Sequence, residues 1–323
     1  MVSLSNNYIQ VAFATPVLIF LAFLFHLVPT GAEETDEAEF NFVAAGDWGC
    51  GHEALHTLSI MKRMEPELYL GLGDYSYQLS ADCWLDIVKS VSDSFKIALG
   101  NHDTLNQKLQ AYIDEFKLEN QYYSFNYHNV HFIALSTELN KNQEKEQLKF
   151  VKNDLLETKA NKNTDWIIVF FHKPFYSSNS DITNMRKNYH PLFEDLGVDL
   201  VIQGHSHNYQ RTYPLLYNEA RNSQPIIADK EQSQYEDPLG IIFVIAGTGG
   251  ESLQPLHKEP FLANSYGGFG CMNVEVKNKS MTVEYYSDTN DIVDKFIITK
   301  KSHSSNLDEK NEVQRIGYDE LEK

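Results

Sequence analysis

Five apolar runs in this chain each end on a side chain that can hold a cation or move a proton. "FVAAGDWG" delivers Asp47, "YLGLGDYSY" delivers Asp74 and Tyr77, "IALGNHD" delivers Asn101, His102 and Asp103, "IIVFFHKP" delivers His172, and "DLVIQGHSHN" delivers His205 and His207. Carboxylate, phenol, carboxamide and imidazole together make a ligand set for hard and intermediate metal ions, and several of them also serve in acid–base catalysis. Singly, each has an ordinary explanation: an Asp after Gly is a turn or helix cap, an Asn a turn former, a Tyr a half-buried core residue. An isolated His-x-His pair is likewise a weak signal, since residues i and i+2 of any extended segment share a face. Recurrence at five run ends, four of them with Gly directly before the polar group, argues instead for loops that bend toward one point.

The elements that must carry these loops follow from the periodicity. Strands are expected at "FNFVAA", "ELYLGLG", "FKIALG", "WIIVFF" and "VDLVIQG", with helices between them at "EALHTLSIMKRM", "ADCWLDIVKSV", "LNQKLQAYIDEF", "NQEKEQLKFVKNDLLE" and "NMRKNYHPLFEDL". The hairpin "YYSFNYHNVHFIAL", turning at His-Asn, interrupts the alternation. From about residue 240 the runs "GIIFVIAG", "GFGCMNVEV", "SMTVEYYS" and "DKFIIT" follow without helices, which predicts a second, largely antiparallel sheet packed on the first system. The class is α/β, and in such sheets ligands bind beyond the carboxyl ends of parallel strands.

At 323 residues, 42% hydrophobic and 12% aromatic, the chain can bury a large core. A net charge of -18 argues against nucleic acid as a structural partner, since that affinity rests on clustered Lys and Arg. An anionic substrate would have to be drawn by a local cation. The apolar run at residues 11–28 reads as a cleaved signal peptide ending near residue 32 or as a retained membrane anchor, although "MVSLSNNYIQ" lacks the usual positive flank. Either way the body of the protein is expected outside the cytoplasm. Residues 301–323 form a charged tail, "NKS" at Asn278 fits a glycosylation acceptor, and the three cysteines allow one disulfide and one free thiol. Nothing in the sequence fixes an oligomeric state.

In order, "DWG" (47–49), "GDYSY" (73–77), "GNHD" (100–103), "VFFH" (169–172) and "GHSH" (204–207) resemble the motifs of the metallophosphoesterase (calcineurin-like) superfamily, and within it the purple acid phosphatases. The resemblance spans about residues 40 to 300 and looks closest to the small, tartrate-resistant type. It implies a four-layer sandwich, two mixed β-sheets packed together and flanked by α-helices, with a dinuclear metal centre at the strand C-terminal ends. Carried over position by position, Asp47, Tyr77 and His207 would bind one metal, Asn101, His172 and His205 the other, and Asp74 would bridge them. A carboxylate can span two cations, whereas a neutral imidazole has one lone pair to give. Phenolate binding at acid pH needs a strongly polarising ion, so the resemblance implies Fe(III) at the Tyr77 site and a divalent ion, Zn, Fe or Mn, at the other.

The implied activity is release of phosphate from small phosphorylated substrates by a metal-generated hydroxide, with His102 as acid or transition-state donor and Asp103 orienting its ring. One departure stands out: "KPFYSSNSDITNMRKNY" lacks the further histidine that family members carry after the strand-end His, leaving Asp181 nearby and His190 farther along. A phosphodiesterase or nucleotidase of the same superfamily would use the same metals, and a non-catalytic binding protein would have eroded ligands, which this chain does not. If Asp47 and Asp74 meet at one centre, their loops also bring Cys50 toward Cys83, which leaves Cys271 as a buried thiol.

Overall fold

The computed structural model describes residues 39–179 and 183–301. The leader, Asp181 and the charged tail of the sequence reading lie outside them. The chain opens with β1 (Glu39–Ala45), α1 (His52–Arg63), β2 (Leu68–Gly71), α2 (Asp82–Val88), β3 (Phe95–Ile97) and α3 (Lys108–Phe116). It continues through the hairpin β4 (Tyr123–Tyr127) and β5 (Val130–Ala134), then α4 (Lys141–Ala160), β6 (Trp166–Phe171), α5 (Thr183–Leu196) and β7 (Leu200–Gln203). The rest is strand: β8 (Tyr209–Thr212), β9 (Leu215–Leu216), β10 (Ile226–Ile227), β11 (Gln234–Glu236), β12 (Ile242–Ala246), β13 (Leu262–Tyr266), β14 (Gly270–Lys277), β15 (Ser280–Ser287) and β16 (Ile292–Thr299).

Two seven-stranded sheets result, in the orders β11-β16-β15-β14-β1-β2-β3 and β13-β8-β12-β7-β6-β5-β4. Both are mixed: β1, β2 and β3 run parallel while β14 meets β1 antiparallel, and β5, β6, β7 and β12 run parallel while β8 meets β12 antiparallel. Alternation along each strand assigns the layers. Phe40, Phe42 and Ala44 of β1 meet Phe132, Ile168, Phe170, Leu200 and Ile202 of the second sheet in the central core. Val43 and Ala45 face the other way, with Leu58, Met61, Trp84 and Tyr112 of α1 to α3, while Val169, Phe171 and Val201 pack on Val151, Leu155 and Phe193 of α4 and α5. Central strands are apolar on both faces for this reason, "WIIVFF" of β6 being buried throughout. This is the four-layer arrangement expected of the class.

The partition of strands differs from the sequence reading. The late antiparallel strands build no separate sheet: β14 to β16 extend the sheet of β1, and β12 inserts between β7 and β8. Strand β8 has a polar sequence, "YQRT", yet all four residues are buried. Their polar atoms are satisfied across the sandwich: Asp294 of β16 accepts from Tyr209 Oη (2.6 Å) and from Arg211 Nε (2.6 Å) and Nη2 (3.0 Å).

Candidate metal centre

Strands from both sheets end at one edge. Asp47 N–H donates to Gly73 O and Trp48 N–H to Asp74 O, each at 2.9 Å, which locks the exits of β1 and β2 together. The two sheets join there through the His172 ring, whose Nδ1 lies 2.8 Å from Leu72 O. Asp47, Asp74 and His205 hold φ of 57°, 52° and 71°, left-handed values that non-glycine residues adopt at a cost of about 1 kcal/mol or more. This is the bend that turns strand exits inward. At Gly100 a Cβ would sit 2.3 Å from Asp74 Oδ1, so only glycine lets β3's exit pass the carboxylate.

Each carboxylate is fixed by one backbone amide and offers its other oxygen to the centre. Asp47 Oδ2 accepts from His205 N–H at 2.7 Å, and Oδ1 lies 3.2 Å from Tyr77 Oη and 3.2 Å from His207 Nε2. Asp74 Oδ1 accepts from His102 N–H at 2.7 Å, and Oδ2 lies 3.1 Å from His172 Nε2 and 3.5 Å from Tyr77 Oη. Tyr77 Oη is 3.0 Å from His207 Nε2, and His205 Nδ1 is 3.3 Å from His172 Nε2. The ligand atoms of Asp74, His172 and His205 all fall within 4.8 Å of one another. Atoms about 2.0–2.2 Å from a common cation stand roughly 3 to 3.5 Å apart, so these separations match the edges of a coordination shell. Asp74 Oδ2 is shared by both groups, as a bridge must be.

The imidazoles are set for coordination. His172 Nδ1–H donates to Leu72 O and His207 Nδ1–H to Ser252 O (2.7 Å), which leaves both Nε2 atoms facing the centre. Asn101 Oδ1 is buried with no hydrogen-bond partner. Two buried carboxylates whose ion-pair partners among the described residues are imidazoles, with an orphaned amide oxygen, make a concentration of acceptors that cations satisfy. The residues therefore fit a dinuclear centre. Burial, then Asp47 and Asp74, push the Tyr77 phenol far up, so it ionises here only against a strongly polarising ion. Burial and the neighbouring His172 hold His205 down at about 4, as the neutral ligand form requires.

All seven residues read as ligands stand at this edge, and His102 lies beside them, its ring 4.3 Å from that of Tyr77 between centroids. Asp103 corrects the expectation placed on it. It is fully buried and its oxygens are taken by amides, Oδ2 by Asp74 N–H (2.7 Å) and Gly100 N–H (2.8 Å), Oδ1 by Tyr75 N–H (2.9 Å). It braces the exits of β2 and β3 rather than the His102 ring. His190 is buried in the α5 layer, its Nδ1 2.8 Å from Tyr176 Oη and its Nε2 3.1 Å from Glu194.

The sequence reading missed two supports. Lys108 of α3 is buried, its ammonium donating to Ser76 O and, at 3.1 Å, to Gln78 O, the carbonyls that flank Tyr77. The loop after β12, "GTGGES", supplies Ser252 O; it was a sixth apolar run ending in glycine, and that was its signal. A disulfide joins Cys50 to Cys83, tying the β1 exit to α2, and Cys271 is a buried free thiol.

The geometry is that of a candidate metal centre at the edge of a two-sheet sandwich. The family model for the calcineurin-like phosphoesterase matches residues 40–209. Purple acid phosphatase 18 of Arabidopsis thaliana is 28% identical over 256 residues, 70% of this chain and 54% of its own, and acid phosphatase type 7 of Mus musculus is 28% identical over 228 residues, 59% and 50%. A purple acid phosphatase from yellow lupin seeds superposes with a TM-score of 0.70 at 20% identity, over 82% of this chain and 54% of that one. The chain belongs to the calcineurin-like phosphoesterase family, and it resembles purple acid phosphatases within it. It spans about half the length of the curated relatives it matches.

Proposed function

We propose that the protein is a purple acid phosphatase-like hydrolase that releases inorganic phosphate from small phosphate monoesters. The observation that carries this reading is the pair of ligand groups sharing Asp74, one of them containing Tyr77. Asp47, Tyr77 and His207 would hold Fe(III), Asn101, His172 and His205 a divalent Zn, Fe or Mn ion, and Asp74 both. So placed, the two ions would polarise the phosphoryl oxygens and supply hydroxide for in-line displacement.

The chain's own groups do the rest. His102 lies half-exposed beside Tyr77 and donates a hydrogen bond to a phosphoryl oxygen or a proton to the leaving alkoxide. Asp103 and Lys108 keep the exits of β2 and β3 from shifting as charge builds. The disulfide and the apolar run at residues 11–28 support an extracytoplasmic location, with the run as cleaved leader or anchor. Among the described residues no helix is long and apolar enough to cross a membrane.

The test is the visible spectrum of the air-oxidised protein and of Tyr77→Phe, with metal analysis and phosphate release from a monoester and a diester. A violet charge-transfer band lost in the variant, with the monoester preferred, is the expected result. An iron-replete, folded protein without the band, preferring the diester, would instead mark a phosphodiesterase.

A further inference from the structure

Helix α1 opens with "HEALH", residues 52–56, which sets two histidines four positions apart at its start. Side chains at i and i+4 of a helix lie one above the other on the same face. Ala54, Thr57, Leu58 and Met61 turn to the core, and His52 and His56 stand on the opposite flank. Their rings are parallel to within 10°, with centroids 6.1 Å apart. Two imidazoles that share one cation, each nitrogen about 2.0–2.1 Å from it, have centroids roughly 5 to 6.5 Å apart. The pair is therefore already at chelating separation.

The surroundings suit a ligand role. His56 Nε2–H donates to the carbonyl of Asp288 at 2.8 Å, and Asp288 N–H is itself anchored on Phe269 O at 3.0 Å. With that proton placed, Nδ1 of the neutral ring keeps the lone pair, the arrangement by which a backbone carbonyl fixes the tautomer of a metal-bound histidine. The His52 side chain is 85% exposed, so its ring is free to turn toward a shared ion, and Glu53 Oε1 brings a negative charge 3.7 Å from its Nδ1. Space at the helix start is open: a Cβ added at Gly51 would meet no atom within 4 Å. None of these residues belongs to the ligand set built on Asp47 and Asp74.

We propose that His52 and His56 form a second cation site, for a divalent ion that imidazole favours, Zn²⁺ first among them. The same spacing holds the metal of zinc peptidases, with the intervening Glu as general base. Among the described residues, however, the group of three His, Cys, Asp or Glu ligand atoms lying within 4.8 Å of one another is Asp74, His172 and His205. The α1 pair therefore holds its ion with water in the remaining positions, which suits reversible binding rather than a second hydrolysis. The bound ion cross-links the first turn of α1. That turn follows directly on Cys50 of the disulfide and packs under the loop after β12, where a Cβ on Gly250 would stand 2.5 Å from Ala54 N.

The test is calorimetric titration of zinc chloride into the full-length protein with its Asp47–Asp74 centre already metal-loaded, alongside His52→Ala, His56→Ala and the double variant. The parent is expected to take up one further Zn²⁺ and to melt at a higher temperature with it. Each single variant should bind that ion at least about 10- to 100-fold more weakly, the cost that loss of even a partner outside the coordination shell carries. The double variant should lose both the uptake and the thermal shift. Circular dichroism and the metal content before titration, expected at parent values in all variants, show that the fold and the other centre are intact. A parent that takes up no further zinc overturns the proposal, as does undiminished uptake by the folded double variant. Neither result bears on whether the loaded centre hydrolyses monoesters, because the two ligand sets share no residue.

Discussion

The molecule buries charge in two places and treats it in opposite ways. At the Arg211–Asp294 cluster, between β8 and β16, one guanidinium meets one carboxylate through two hydrogen bonds, with Tyr209, Tyr235 and Gln232 O completing the donors and acceptors. At the centre built on Asp47 and Asp74 the carboxylates meet, among the described residues, the imidazoles of His172 and His207 and no Lys or Arg. The first cluster is a finished structural unit, and it lets polar β8 run as a buried strand. The second is complete only with cations, and three of its residues hold left-handed backbones to keep it so. Burial alone therefore does not separate structure from function; whether the chain satisfies its own charge does.

The largest break in this contrast is Asp74→Asn. The amide cannot bridge two cations, so phosphate release is expected to fall on the order of 10⁴-fold, the several kcal/mol of charge stabilisation a bound ion supplies. Fold should survive, since the variant carries less unmatched negative charge; circular dichroism and steady-state kinetics check both halves. Loss of fold along with activity would make the centre a structural unit too.

Arg211→Met acts the other way. It leaves Asp294 buried and unpaired, for about 3 to 4 kcal/mol of stability in urea unfolding, with metal content unchanged. The double variant Arg211→Met, Asp294→Leu should recover most of that loss. Acid sharpens the point: burial opposes ionisation of Asp294, but Arg211 holds its pKa below the unfolded value. Its contribution is therefore full above the unfolded pKa near 4 and drains as pH falls toward the folded one. The single variant should lose that acid limb, visible as a flatter stability profile below pH 4.

These two regions were unequally visible in the sequence. All seven candidate ligands could be read because each interrupts an apolar run that a buried parallel strand requires. Strand β8 could not, because its polar side chains look solvated until Asp294, more than eighty residues away, is beside them. Periodicity likewise assigned strand faces but not neighbours, so the division of β1 to β3 and β5 to β7 between two sheets was hidden. Asp103 was visible as an acid, yet its role depends on the amides of Asp74 and Tyr75 in a loop 29 and 28 residues earlier, which no spacing encodes.

Asp103→Asn tests that last role. One carboxylate oxygen becomes an NH₂ facing amide donors, at a cost of about 2 kcal/mol, and metal affinity should fall about 10- to 100-fold because the Asp74 loop loosens. Chelator competition reads the second effect separately from thermal melting. Unchanged affinity in a destabilised protein would reduce Asp103 to a fold residue.

Lys108→Met is the finest probe, because Lys108 is a buried cation that holds a ligand loop and touches carbonyls rather than the carboxylates. Burial depresses its pKa, so its removal gives back part of the desolvation cost while two carbonyls lose charged donors. The net change in stability should be only about 1 kcal/mol. Because those carbonyls flank Tyr77, metal at the tyrosine site should nevertheless be lost about tenfold more readily to chelator than metal at the other. Equal loss from both sites would mean that Lys108 supports the edge as a whole; selective loss would show that the two halves of the centre, although joined through Asp74, are braced by different parts of the chain.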